Sequence, residues 1–298
     1  MKTIYLSGPM SNYELLNHPA FDRNATFLRD LGYEVISPAE MDRKLGIDLT
    51  GNMNEEQYLN VIKHDYAALL TCDAIAFMPG WEKSRGAKLE SDFANVLKLD
   101  RYRVDADKSY FEKEMIIGFT GFATAGKNAL SEEFVTNSGF EQAGFADALK
   151  KILYSLDPII SQHNDGETIC FDRVQDYVDE YGYEESKKIP EIRQLLQRLG
   201  TEGGRVALGE DVWVNTLFTQ PHDARLVISD LRFENEAMAV KARGGCVIKV
   251  ERPGIGPINN HASEQIDFNV DFTVQNDRTP KDAYLDVVKF LESKGWIL

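Results

Sequence analysis

The stretch that most limits how this chain can fold lies in its middle. Residues 115–134 read MIIGFTGFATAGKNALSEEF: an apolar run, Met115 to Phe119, enters a glycine-rich turn, and an amphipathic segment follows Gly126 and Lys127. A strand, a loop of the form G-x-x-x-x-G-K and a helix make a phosphate-binding P-loop, in which backbone N–H groups and a helix N-terminus face an anion. Gly121, Gly126 and Lys127 have that spacing, with Ala123, Thr124 and Ala125 completing the cradle. Position 128 is Asn, where Ser or Thr normally meets Mg2+, so Asn128 offers only a neutral amide oxygen to a metal. A strand that starts a new unit at Met115 leaves the residues before it in need of a core of their own.

Composition permits that. With 298 residues, 43% of them hydrophobic, the chain can build two domains. Its net charge of −15 argues against a non-specific nucleic-acid binder and means that anionic substrates need locally gathered cations. Cys72, Cys170 and Cys246 lie too far apart for a disulfide framework or a zinc site. There is no run of about 18 apolar residues and no apolar core behind the first Met. These features predict a cytoplasmic protein without a membrane partner.

The organisation is that of two α/β domains. Residues 2–7, 33–38 and 73–79 read as strands, and 20–31, 55–70 and 86–98 as helices, the last with Leu89, Phe93, Ala94, Val96 and Leu97 on one face. Strands alternating with helices imply a parallel sheet flanked by helices, Rossmann-like in residues 1–100. Residues 101–114 are charged and weakly periodic, which predicts a linker. The alternation resumes in residues 115–298, with strands at 115–120, 225–230 and 246–251 and helices including 190–200 and 234–243.

In the second half, apolar 226-LVIS-229 runs into Asp230, the shape of the acidic strand that orients Mg2+ in P-loop enzymes, and Arg232 follows. Further pieces are 145-FADALKK-151, 198-RLGTEGGR-205 with 211-DVW-213, 229-SDLRFENEA-237, and 244-GGCVIKVERPG-254 with 261-HASE-264. In this order and spanning nearly the whole half, they resemble the phage deoxynucleoside monophosphate kinases. The resemblance implies transfer of the ATP γ-phosphoryl group to a deoxynucleoside monophosphate with Mg2+, in the host cytoplasm if the chain is phage-encoded. Lys127 would hold the β- and γ-phosphates, and Asp230 and Asn128 the metal. Arg198, Arg205 and Arg232 are candidates to clamp phosphate, since guanidinium binds it bidentately. Asp147 and Lys150 would line the acceptor site and Arg252 a mobile lid. His261 and Glu264 have no assigned role.

In the first half the notable residues are 5-YLSGP-9, Asp65, Asp73 and 84-SRGAKLESDFA-94. A carboxylate near the carboxyl end of a parallel sheet stands where open α/β folds place ligands. The pattern S-x-G-x-x-x-E puts Glu90 about one turn into a helix, with the Ser84 hydroxyl and the bare backbone of Gly86 before it. IYLSGP, the Asp65–Asp73 spacing and the glycine four residues before Glu90 resemble the nucleoside 2-deoxyribosyltransferase and deoxynucleotide N-glycosidase superfamily. By that resemblance Glu90 is a nucleophile toward C1′ of deoxyribose, Asp65 an acid for the base, Tyr5 the group orienting Glu90, and Gly8, Ser84 and Gly86 substrate contacts. Nucleoside-specific members carry an acidic residue where this chain has Ser84. A serine accepts a 5′-phosphate that a carboxylate would repel, so the expected substrate is a 5′-monophosphate. The resemblances also imply small-molecule nucleotides (dNMP and ATP) as partners and homo-oligomers. The alternative is a first domain that binds or senses nucleotides without chemistry.

Overall fold

The computed structural model describes residues 1–47, 54–164, 166, 168–257, 266–296 and 298. His261 and Glu264 lie outside them. Among the described residues the first half runs β1 (Thr3–Ser7), α1 (His18–Asp30), β2 (Glu34–Ile36), α2 (Pro38–Leu45), α3 (Glu55–Leu69), β3 (Ala74–Phe77), α4 (Arg85–Leu97), β4 (Asp100–Asp105) and β5 (Tyr110–Lys113). These strands form one sheet of order β2-β1-β3-β4-β5, parallel except for the antiparallel edge pair β4–β5. Period-two alternation in β1 sends Ile4 and Leu6 to the face covered by Phe21, Ala25 and Leu28 of α1. Tyr5 faces the other way, among Leu69, Ala87 and Ala94 beneath α3 and α4.

Residues 101–114 are therefore not a linker. They supply two strands of the first sheet, and only Glu114 separates β5 from the first strand of the second. Their charges are paired in the interior: Arg101, Arg103 and Glu114 are at most 8% exposed. The Arg101 Nε donates to Glu114 Oε2 at 2.6 Å. The Arg103 Nε lies 2.6 Å from Glu114 Oε1 in an ion pair without hydrogen-bond alignment. Helix α4 also differs from expectation. Leu89 and Val96 are exposed, and Ala87, Ser91 and Ala94 face the sheet. Small residues are needed there because Tyr5, Phe77 and Trp81 already fill that layer.

The second half continues with β6 (Met115–Thr120), α5 (Lys127–Ser138), β7 (Glu141–Ala143), α6 (Asp147–Leu156), β8 (Ile159–Asn164), β9 (Ile169–Arg173), α7 (Val174–Ser186) and α8 (Pro190–Arg198). A π-helix over Leu199–Val206 leads to α9 (Val212–Phe218), β10 (Arg225–Ile228), α10 (Glu234–Ala242), β11 (Cys246–Glu251), β12 (Phe272–Gln275) and α11 (Pro280–Ser293). Its sheet, β12-β11-β6-β10-β7, is parallel throughout. Every residue of the central strand β6 is buried, which accounts for its unbroken apolar run. One face packs on α5 and α11, the other on α6, α9 and α10. The antiparallel pair β8–β9 stands apart as an unanticipated hairpin. The fold is thus α/β, two parallel sheets each flanked by helices. Among the described residues no helix is long and apolar enough to cross a membrane.

Candidate active sites

The first site forms at the carboxyl end of β1. Tyr5 and Ser7 are two residues apart on one strand, so both project to the same face. The Tyr5 hydroxyl donates to Glu90 Oε1 at 2.9 Å and the Ser7 hydroxyl to Oε2 at 2.5 Å. Glu90 is the sixth residue of α4, beyond the first turn where the helix dipole acts, so the dipole does not account for an acid there. Burial raises the Glu90 carboxyl above its ordinary value, while the bonds from Ser7 and Tyr5 pull it back. Asp65, on α3, is pushed up to about 8, first by burial and then by the charge of Glu90; Asp42 adds to the rise and a bond with Tyr5 opposes it. The Tyr5 phenol is raised as well, by burial and by both carboxylates.

Tyr5, Asp65 and Glu90 are thus brought together. A carboxyl held protonated near neutrality stands by a carboxylate whose two oxygens are fixed by hydroxyls, an arrangement suited to acid catalysis beside a nucleophile. Ser7 is the partner the sequence reading passed over, although its i, i+2 spacing from Tyr5 was the signal. Ser84 is the N-cap of α4, its Oγ accepting from Ala87 N at 3.3 Å. Gly86 has a negative φ, and a side chain there would meet only Ser84 Oγ at 4.0 Å. The fold itself does not require glycine at 86. Gly8 differs: a Cβ there would lie 3.0 Å from the Met78 Cβ, so it serves packing. Asp73 is at the opposite, amino end of the sheet, where it accepts from Thr3 N at 2.8 Å, and takes no part in this site.

The second site surrounds the loop between β6 and α5. Gly121, Thr124 and Gly126 all have positive φ, of 143°, 65° and 101°. Gly121 is fixed by contact, since an added Cβ would come within 2.4 Å of the Val250 carbonyl oxygen, and Gly126 by its φ, with an added Cβ also 2.1 Å from the Asn276 amide nitrogen. Asn276, just beyond β12, donates to the Ala125 carbonyl at 2.8 Å and is nine-tenths buried. It buttresses the loop from 150 residues downstream, where no sequence motif marks it. Ala123 lies within the loop. The Lys127 ammonium donates to the Gly121 and Phe122 carbonyls at 2.7 and 2.8 Å.

Asp230 accepts from the backbone N–H groups of Phe145 and Ala146 at 2.8 and 3.0 Å, tying β10 to the start of α6. Gly144 is required there, because a Cβ would lie 2.6 Å from Asp230 Oδ2. Asp147 accepts from Gly144 N at 2.6 Å and from Lys150 at 2.8 Å. Burial works against the Lys150 ammonium, but the Asp147 bond together with the charges of Asp147, Asp230 and Glu184 outweighs it and its pKa is raised. Glu184, on α7, accepts from Lys187 at 2.6 Å; burial works to raise its carboxyl, but that bond and the charges of Lys187, Lys150 and Lys127 hold it below its ordinary value. Among the described residues no three His, Cys, Asp or Glu side chains gather to hold a metal. Asp230, with lone pairs beyond its two N–H partners, and the exposed Asn128 are hard oxygen donors of the kind Mg2+ takes, and they fit a metal that draws its other ligands from phosphate and water.

The candidate arginines diverge. Arg205 is committed to the protein: it donates to the Glu210 carbonyl, Asn235 and Glu236, and stacks 3.9 Å over Phe233. It pins the π-helix to the start of α10 rather than presenting a fork to phosphate. Arg198 lies exposed against Glu202 at 3.3 Å. Arg252 is exposed at the turn after β11. At Arg232 the backbone N–H donates to Glu236 Oε2 at 2.7 Å.

Residues 2–101 match the family described as a domain of unknown function, DUF4406. The chain is 27% identical over 203 residues to the "Putative deoxynucleotide monophosphate kinase" of Acanthamoeba polyphaga mimivirus, covering 60% of this chain and 97% of that protein. Among solved structures, the shikimate kinase of Aquifex aeolicus is similar at 13% identity, 61% of this chain, 98% of that one and a TM-score of 0.33. The Mycobacterium tuberculosis APS kinase CysC Cys556Ala mutant is similar at 15% identity, 60%, 97% and 0.30.

Proposed function

We propose that the chain is a two-site enzyme of deoxynucleotide metabolism, in which residues 115–298 phosphorylate a deoxynucleoside monophosphate and residues 1–114 cleave or exchange the N-glycosidic bond of one. For the second half the supporting observation is the match to nearly the whole of the mimiviral kinase-like protein, joined to a strained glycine loop at the end of a central parallel strand. An acceptor phosphate oxygen attacks the γ-phosphorus of ATP and ADP leaves. Lys127 turns from its loop carbonyls to the phosphates, Lys150 faces the acceptor, and Asp230 holds the acceptor segment 144–147 in place. Bound Mg2+, held by Asp230 and Asn128, would neutralise phosphate charge.

For the first half the reading rests on the Tyr5–Ser7–Glu90–Asp65 cluster. A Glu90 oxygen attacks C1′ and forms an ester. The C1′–N bond breaks, its electron pair goes to the base nitrogen, and that nitrogen takes the Asp65 proton. Water or a second base then attacks C1′, frees the Glu90 carboxylate and returns a proton to Asp65. The Ser84 hydroxyl, the open backbone at Gly86 and the N-terminus of α4 favour a 5′-phosphate. The test is mass spectrometry of the whole protein with each deoxynucleoside monophosphate, with and without ATP. Diphosphate with ATP and free base without it are expected. A chain that binds these nucleotides yet releases no base, with or without an acceptor base, has a sensing first domain instead.

A further inference from the structure

The loop that carries Ser84 and Gly86 is anchored by a buried charge. Glu82, in the short 3-10 turn Trp81–Lys83, is 5% exposed, and its single ion-pair partner among the described residues is Arg103 of β4, 2.6 Å away. The Trp81 carbonyl accepts from Ser84 N at 2.9 Å, so the turn and the helix cap move as one piece. The Trp81 ring lies under the Arg103 guanidinium at 5.1 Å and against Phe77.

Each edge of the Arg103 guanidinium meets a different part of the molecule. Nη1 holds Glu82, Nε faces Glu114, and Nη2 approaches the Nε2 of His222 at 3.3 Å. His222 belongs to the second half, in the segment between α9 and β10. Its Nδ1 lies 2.8 Å from the Asp223 carbonyl, which can only accept, so Nδ1 carries the proton and Nε2 is left to accept from Arg103. Burial first, then the charge of Arg103, lowers its pKa and favours this neutral tautomer. A guanidinium is planar and rigid, so its three edges cannot be repositioned independently. Loss of the His222 acceptor leaves a buried donor unpaired and loosens the guanidinium that holds Glu82, even though both of its ion pairs remain.

We propose that Arg103 is a positioning residue for the Gly80–Gly86 loop, and that His222 makes the set of this loop, and with it the first site's affinity for a 5′-monophosphate, depend on the second half of the chain. The ligand class rests on the function proposed above; the positioning does not. Lys83 in the turn and Arg85 at the first position of α4 are both exposed, so trypsin reads the order of this segment directly.

The experiment compares full-length wild type, His222→Ala and Arg103→Lys, each in a Glu90→Gln background so that ligand is not consumed. His222→Ala keeps both ion pairs of Arg103, whereas Arg103→Lys keeps the charge but loses the three-way fork. Cleavage after Lys83 or Arg85 is expected to speed up by about ten-fold in His222→Ala, the equivalent of one buried hydrogen bond, and further in Arg103→Lys. The deoxynucleoside monophosphate concentration that protects those bonds should rise about ten-fold, while the KM of the kinase reaction stays unchanged. If His222→Ala, folded by its thermal transition, matches wild type within two-fold in both cleavage and protection, the proposal is overturned, whether or not Arg103→Lys folds. Absence of base release by the Glu90 enzyme would remove the glycosidase reading alone, since the cleavage readout does not depend on turnover.

Discussion

In the first half the carboxylate of Glu90 is held by two hydroxyls projecting from one strand, whereas in the second the ammonium of Lys127 is turned onto the carbonyls of its own loop. The first site is set by side chains on regular elements, Tyr5 and Ser7 on β1, Asp65 on α3 and Glu90 on α4. It needs no backbone strain and is assembled as it stands. The second is set by backbone in rarely used conformations, including Thr124 at a φ of 65°, and its cations have other partners within the protein. Strain of this sort costs about 1–3 kcal/mol per residue and persists only where the surroundings impose it, here through Val250 and Asn276. A site that stabilises a carbon centre can be rigid, since the charge it answers is small. A site that receives a polyphosphate must let its cations change partners.

The widest separation between the two comes from crossing single substitutions. Glu90→Gln should cut base release by about 10⁴-fold or more, because an amide cannot form the glycosyl ester, and leave kinase turnover intact. Lys127→Ala should cut kinase turnover by about 10³-fold and leave base release intact. Parallel assays of the two purified variants check this; loss of both activities in either one would break the comparison.

A smaller effect concerns stability. Burial works to raise the Glu114 carboxyl, but Arg101 and Arg103 override it and hold it at about 2. A carboxyl lowered on folding contributes stability that is present above its ordinary value and lost as pH falls through about 2. Glu114→Gln, which leaves two guanidinium groups buried without their anion, should cost about 3–5 kcal/mol in urea unfolding at neutral pH. A fragment 1–114 should fold while 1–105, lacking β5 and Glu114, should not, as circular dichroism and proteolysis will report.

The mildest test is pH. Asp65, raised to about 8, is the acid form below that value, so base release should fall as pH rises through about 8. Glu90 must be ionised, and its pKa is raised, so the acid limb should lie above the ordinary carboxylate value of about 4.3. Asp65→Asn should abolish the alkaline limb. Kinase turnover over the same range should show neither limb at these positions.

Much of this was legible from residue order. The alternation of apolar runs and amphipathic segments yields both sheets, and Tyr5, Asp65 and Glu90 meet in space. Segment 101–114 was not legible, because a single sequence does not show whether Arg101, Arg103 and Glu114 meet water or each other. Both cases read as charge without period. Arg205 is the same lesson inverted: a guanidinium in a glycine-rich motif looks free for phosphate until Glu236, Asn235 and Phe233 arrive around it. Asn276 acts across a long sequence separation and follows no local rule.

The single residue between β5 and β6 has a consequence for how the protein is made. Among the described residues the five strands of the first sheet all precede residue 114, so they are made before any strand of the second has left the ribosome. The second sheet must wait for its edge strand at Phe272–Gln275, more than 150 residues after β6 begins. Domains fold from the N-terminus as the chain emerges, so the nascent first sheet already holds Glu114, the last charge needed to quiet its two arginines, while the His222 acceptor of Arg103 arrives only later.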